Sequence, residues 1–270
     1  MKRISITMIL GVLALTVFGQ KTSFKKPFEE VRFEEDYYFL KDSTNLRHTL
    51  DKMKYLSLSE NRNWYVSLGG EARETFEYVR LGFEDQEDDP YGFTRLGLHG
   101  TVNYKNRFKV YGELMSALQY GRTGGSRLVD ENQLYVLNLF TEVRLFEKND
   151  KSFSARIGRQ ELQFGSSSLF SIRDGTNVRY TFDGARLMYR SKKLDLDGFY
   201  AEYVRQDLGV FDDESFTGDK QVWGLYANYY LKEKGALILQ PFYAGLNESS
   251  FYFQTGFPVV KDLRHSIGLR

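Results

Sequence analysis

From Trp64 onward, apolar and polar side chains alternate with a period of two, in runs of roughly 10–16 residues. That period places successive side chains on opposite faces, so it demands strands and rules out helices over most of the chain. The runs are 64–80, 92–104, 108–120, 132–146, 153–164, 178–190, 194–206, 220–232, 236–246 and a last one starting near Leu263. In the first, Trp64, Val66, Leu68, Ala72, Phe76 and Tyr78 share one face. Ser67, Glu71, Arg73, Thr75 and Glu77 share the other, with Glu74 out of pattern. Leu96, Leu98, Val102 and Tyr104 oppose Arg95, His99, Thr101 and Asn103 in the second run. Phe108, Val110, Leu114 and Leu118 oppose Lys109, Glu113 and Gln119 in the third. Short turns (Lys105 to Arg107, Glu147 to Lys151, Ser191 to Lys193, Lys234-Gly235) alternate with longer polar loops (Glu84 to Asp89, Gly121 to Asp130, Gly165 to Asn177, and the stretch around Asp212 to Glu214). This rhythm predicts an all-β chain: about ten strands of an antiparallel transmembrane β-barrel. The soluble alternatives are a β-sandwich and an internal β-helix; sandwich strands are about 5–6 residues long and their loops show no regular short–long alternation.

Composition agrees. Aromatic residues are 16% of the chain, with 24 Gly and 4 Pro. The mean hydropathy is nevertheless polar, −0.46, as expected when lipid-facing and lumen-facing residues average out. No second long apolar run follows the N-terminus, which excludes a helical membrane bundle. Tyr180 to Phe182, Tyr229-Tyr230 and Phe251-Tyr252-Phe253 stand at run ends, where interfacial aromatic girdles are expected. A net charge of +1 offers no basic excess for nucleic acid. The absence of cysteine excludes disulfides, thiolate zinc sites and thiol catalysis.

Lys2 and Arg3 precede an apolar stretch, Ile4 to Phe18, in the pattern of a secretory signal cleaved after Gly19 or Gln20. The expected organisation is therefore a signal peptide over 1–20, a polar periplasmic lead-in over 21–63, and barrel over 64–270. A helical turn is expected after Ser43 or Thr44. The sequence stops at Ser266-Ile267-Gly268-Leu269-Arg270, inside an alternating run. An open sheet edge is not viable in lipid, so a longer barrel is expected.

Specific blocks stand out within this pattern. They are Phe33 to Asp42, Lys54 to Leu58, Trp64 to Arg73, Ile157-Gly158-Arg159-Gln160-Glu161-Leu162-Gln163-Phe164-Gly165, Arg173-Asp174-Gly175-Thr176-Asn177-Val178-Arg179 and Phe182-Asp183-Gly184-Ala185-Arg186-Leu187. From about residue 30 to its end, the chain resembles the alginate export family of outer-membrane porins. The resemblance implies a monomeric barrel of about eighteen strands in the outer membrane of a Gram-negative bacterium. It implies a narrow electropositive lumen through which an anionic uronate polymer leaves the cell. The implied partners are an anionic polysaccharide or oligosaccharide, outer-membrane lipid and lipopolysaccharide, and periplasmic export proteins, with no nucleic acid.

A polyuronate carries one carboxylate per sugar, and arginine binds carboxylate through a planar fork that stays charged. Candidate lumen cations are Arg73, Arg95, Lys109, Arg144, Arg156, Arg159, Arg179 and Arg186. Their acidic counterparts are Glu71, Glu113, Glu142, Glu161 and Asp183. Charge on the lipid face at mid-bilayer costs about 2–4 kcal/mol, so these groups should point inward. Each arginine is alternatively a strut bracing the interior. Arg159 and Arg179, inside the family-like blocks, are the leading candidates; Arg159→Ala or Arg179→Ala is expected to weaken anion selectivity with the barrel intact. Glycine at 158 and 184 suggests a β-bulge there. The loop Ser166 to Asn177 has two readings, a lumen gate and an ordinary extracellular loop. The acidic loops at 84–89 and 212–214 read as solvated rather than as Ca²⁺ or lipopolysaccharide sites.

No enzyme, cofactor or metal is predicted. His48, His99 and His265 lack metal-ligand spacing. Gly165-Ser166-Ser167-Ser168 lacks the second glycine of a nucleophile elbow, and Gly121 to Gly125 lacks the Lys-Ser/Thr of a phosphate loop. The rival functions are a porin for small anions or oligosaccharides, a non-conducting barrel for adhesion or assembly, and a barrel lipase.

Overall fold

The computed structural model describes residues 29–45, 49–80, 89–165, 170–231, 237–249, 251–252, 258–259 and 261–270. The signal-peptide reading, His48, Glu84 to Asp88, Ser166 to Ser168, Lys234-Gly235 and Phe253 fall outside the described residues.

The fold is one antiparallel sheet. Its strands are β1 (Leu56–Ser57), β2 (Trp64–Val79), β3 (Asp89–Tyr104), β4 (Phe108–Tyr120), β5 (Asn132–Lys148), β6 (Lys151–Gln160), β7 (Phe182–Arg190), β8 (Leu194–Tyr203), β9 (Lys220–Tyr230), β10 (Ile238–Leu239), β11 (Pro241–Glu248) and β14 (Asp262–Leu269). Each long strand pairs with the next long one, from β2 through β9 to β11 and β14. The pieces β12 (Phe251–Tyr252) and β13 (Pro258–Val259) pair with each other. The third expected run coincides with β4, and the other long strands start or end within a few residues of the expected bounds. Two of the short turns have both central residues left-handed, Lys105-Asn106 (φ 47° and 55°) and Asn149-Asp150 (φ 48° and 59°). That geometry matches the twist of the strands they join.

Alternation sorts the two faces. Leu98, Leu139, Ile157, Leu187, Leu225 and Ile267 are exposed on one face, while Tyr111, Met115, Tyr135 and Phe140 are buried on the other. Among the described residues no helix is long and apolar enough to cross a membrane; the exposed band belongs to strands. Leu98 is 73% exposed in the middle of β3. Leu98→Arg is expected to cost about 2–4 kcal/mol in the folding equilibrium into lipid vesicles, and Leu98→Ala far less. Equal costs for the two variants would remove Leu98 from the lipid face.

The bulge falls elsewhere than at Gly158 and Gly184. These two residues pair directly, and the register between β6 and β7 is unbroken. Gly158 has φ +126°, and a Cβ there would collide with the Leu139 carbonyl oxygen; one at Gly184 would collide with that of Tyr200. The glycines serve close backbone approach. The irregularities lie where β5 pairs with β4, between Glu113 and Leu114 and between Met115 and Ala117, and where β5 pairs with β6, between Arg144 and Phe146. The first turns both Leu137 and Asn138 inward, each fully buried.

Strands β6 and β7 stop short. At Glu161 the chain leaves the sheet for its inner face and returns only at Phe182, so 161–164 and 178–181, expected as strand ends, are not strand. The bulge supplies their partners: the Glu161 N–H donates to Asn138 Oδ1 at 2.9 Å, and the Thr181 hydroxyl donates to the Leu137 carbonyl at 2.6 Å. This route also removes Tyr180 and Phe182 from the girdle expected of them. They join an interior cluster of Leu162, Phe164, Phe199, Ala201, Val222 and Tyr226. Beside the upper part of β5, the place of β6 is taken by the segment after β8. The N–H groups of Gln133 and Leu134 donate to Leu208 and Gly209, and Phe211 donates to Leu134.

The polar segment before β2 packs on the same inner face as short 3₁₀ turns (Arg32–Glu34, Tyr38–Lys41, Ser43–Asn45) and a four-residue helix, Asp51–Lys54. Leu40 is fully buried among Tyr37, Tyr55 and Tyr65, and Tyr55 stacks on Tyr65 at 4.2 Å.

Candidate functional site

The inner face of β2–β8 is polar at its centre, and two segments converge on it. From the short-turn end comes the lead-in, and from the long-loop end comes the 161–181 segment. They meet at Phe33. Its ring stands edge-on to Tyr111 at 5.8 Å and to Phe140 at 5.1 Å. Val31 and Ile172 complete the cluster. The Arg156 guanidinium lies 4.4 Å from both the Phe33 and Phe140 rings, a cation–π contact with each. Arg156 also donates through Nε and Nη2 to one Glu142 oxygen, at 2.9 and 2.6 Å. Lys109 Nζ donates to the Phe33 carbonyl at 3.0 Å. Further along the face, Arg186 and Arg190 share Asp197 at 2.8 and 2.9 Å.

The second group is a chain of charges. Arg95 donates from Nε to Glu71 at 2.9 Å and from Nη2 to Asp174 at 2.7 Å. Arg73 donates to the Asp174 backbone carbonyl at 2.8 Å and lies 3.5 Å from its carboxylate. Arg32, from the lead-in, reaches Glu71 at 3.3 Å. Arg179 is 1% exposed. Its Nε makes a close ion contact with Glu161 at 2.8 Å and lies 3.9 Å from Asp174, and its Nη2 donates to the Glu30 carbonyl at 3.1 Å. Asn138 Nδ2 donates to both Glu113 (2.8 Å) and Glu161 (3.0 Å), and the Tyr111 hydroxyl donates to Glu113 at 3.0 Å. Partial burial alone would raise the Asp174 carboxyl. The guanidinium of Arg95, with those of Arg179 and Arg73, outweighs it and holds the group below its usual range.

Of the residues expected to share a lumen, Glu71, Arg73, Arg95, Glu113, Glu161 and Arg179 come together in one network, and Lys109, Glu142, Arg156 and Arg186 line the face beside it. Arg144 lines the same cavity as Lys109, Glu142 and Arg156, nearer the turn, where it pairs with Glu147 at 3.1 Å. Arg159 and Asp183 bind each other through two 3.0 Å hydrogen bonds, but on the opposite face. Arg159 pairs across the sheet with Leu139, which is 55% exposed, and Asp183 shares the parity of exposed Leu187. Directly paired residues lie on one face of a sheet. The segment after β8 covers the pair, with Ser215 Oγ 2.6 Å from Arg159.

Asp174, Asn138 and Asp197 are not among the residues the sequence singles out, nor is Glu35, which pairs with Arg32 at 3.5 Å and Lys54 at 3.7 Å. Asp174 lies inside the 173–179 block but outside any alternating run, and Asn138 is one polar residue in an apolar row. Arg156 and Arg186 pair directly across β6 and β7, yet their acids come from β5 and β8. In the acidic stretch after β8, Asp213 accepts from Asn132 and from the Asp207 N–H, Asp212 accepts from the Gly209 N–H, and Glu214 pairs with Arg205. Among the described residues no group of His, Cys, Asp and Glu could hold a metal ion.

A family model described as alginate export matches residues 64–252, beginning where β2 begins. No curated protein and no solved structure matches the chain.

Proposed function

Because the chain belongs to the alginate export family of Gram-negative outer-membrane channels, we propose that it conducts an anionic polyuronate past arginines on the inner face of its sheet. The observation that carries this reading is the convergence of Arg73, Arg95 and Arg179 around a solvent-accessible carboxylate. Guanidinia so placed replace the hydration of a passing carboxylate, while Glu71, Glu113 and Glu161 limit how tightly a polyanion is retained. The flanking cations Lys109, Arg156 and Arg186 extend the path along the same face.

One feature favours a second reading. Arg95, Arg156, Arg179 and Arg186 each carry a carboxylate partner within 3 Å. A face with its charges paired also suits a porin for oligosaccharides or small anions, with the arginines as struts. The reversal potential of the full chain in planar bilayers under a KCl gradient separates the two. Anion selectivity with block by an oligouronate is the expected result. Cation selectivity without block would leave the general porin.

A further inference from the structure

Asp174 is an unusual occupant of an arginine cluster. It sits on the inward segment rather than on a strand, its side chain is 40% exposed, and three guanidinia address it. The other carboxylates of the network are more deeply set: Glu71 is 14% exposed and Glu161 is fully buried. The cations also differ in what they would keep without Asp174. Arg95 retains Glu71 and Arg179 retains Glu161. Arg73 retains no carboxylate among the described residues: its 2.8 Å hydrogen bond goes to the Asp174 backbone carbonyl, and its one carboxylate contact, at 3.5 Å, is with the Asp174 side chain. Removing this one carboxylate would thus free one arm of Arg95 and leave Arg73, which is itself 39% exposed, tethered only to a backbone carbonyl with its charge uncompensated. What remains is a two-guanidinium cradle, open to solvent on its Arg73 side and shaped for a single carboxylate.

We infer that Arg73 and Arg95, backed by Arg179, form a carboxylate subsite whose resident tenant is the chain's own Asp174, and that a uronate carboxylate enters by exchange with it. The inference rests on the uronate reading above and adds the competitor. An intramolecular carboxylate stands at a high effective concentration, so it weakens every external carboxylate at that point without blocking the path permanently. A polyanion can then step through the subsite rather than lodge in it, which conduction requires.

The test compares the full chain with Asp174→Asn and Asp174→Glu in detergent and in planar bilayers. The probes are an alginate-derived oligouronate and a neutral oligosaccharide of matching length. Asp174→Asn keeps the shape and removes the charge. It should bind the oligouronate about tenfold more tightly and be blocked at correspondingly lower concentration, the scale of one charge-assisted pair. Neutral sugar binding should not change. Asp174→Glu should retain competition and stay near the parent affinity. Adding Arg73→Gln to Asp174→Asn should erase the gain. If the parent binds oligouronate and Asp174→Asn binds it no better, the tenant idea is overturned and the conduit reading survives. If neither protein binds oligouronate, both fall.

Discussion

Arg179→Ala should destabilise the folded protein by about 3–5 kcal/mol, the cost of breaking a buried ion pair from one side. The side chain is 1% exposed and its partner Glu161 is fully buried. Truncation would leave Glu161 with Asn138, whose amide it already shares with Glu113. The structure therefore changes the outcome expected of this variant from weakened selectivity with an intact fold to lost stability. Urea midpoints in detergent, read by heat-dependent mobility on gels, measure the loss. Adding Glu161→Gln should restore part of it, since the uncompensated charge is then gone. An Arg179→Ala protein as stable as the parent would mean that water reaches Glu161. Arg159→Ala should instead leave the reversal potential where it is, because the residue faces away from the interior.

Phe33→Ala should release the lead-in. Truncating a buried phenylalanine costs about 3–5 kcal/mol, and here much of that loss falls on the docking of one segment against Tyr111, Phe140, Ile172 and Arg156. The undocked fraction should rise a hundredfold or more. Trypsin would then cut at Lys41, Lys52 and Lys54 in the intact protein, and single-channel conductance should increase as the inner face clears. Leu58→Ala, at an exposed site, serves as the control and should change neither. Continued protease protection together with parent-like conductance would show that Phe33 does not hold the segment in place.

The strands were legible because one face is apolar over the whole length of the wall, and a one-residue slip would expose every charge on it to lipid. Arg159 shows where that logic stopped. It lies three residues from Arg156, so both can face inward only if a bulge intervenes, and glycine at 158 suggested one. The unbroken Gly158–Gly184 register leaves Arg159 on the far side. The real bulge, at Leu137-Asn138, carries neither glycine nor proline and is set by pairing across strands. The route of the 161–181 segment depends on that bulge and was equally hidden: its polar block fits a lumen or a surface loop alike. The lead-in kept its interior role concealed because 3₁₀ turns impose no long periodicity on Phe33, Tyr37 and Leu40.

The segment after β8 has a consequence for assembly. In a wall made of successive hairpins, neighbours in space are neighbours in sequence, and each strand can be added to the last. Leu208 to Phe211 instead bond to Gln133 and Leu134, reaching back past β6, β7 and β8. That contact cannot form until β6, β7 and β8 are in place, so it acts as a latch on four strands at once. Backbone amides from β5 to β8 should therefore lose hydrogen-exchange protection together, as one cooperative unit, while β2 to β4 open independently of them.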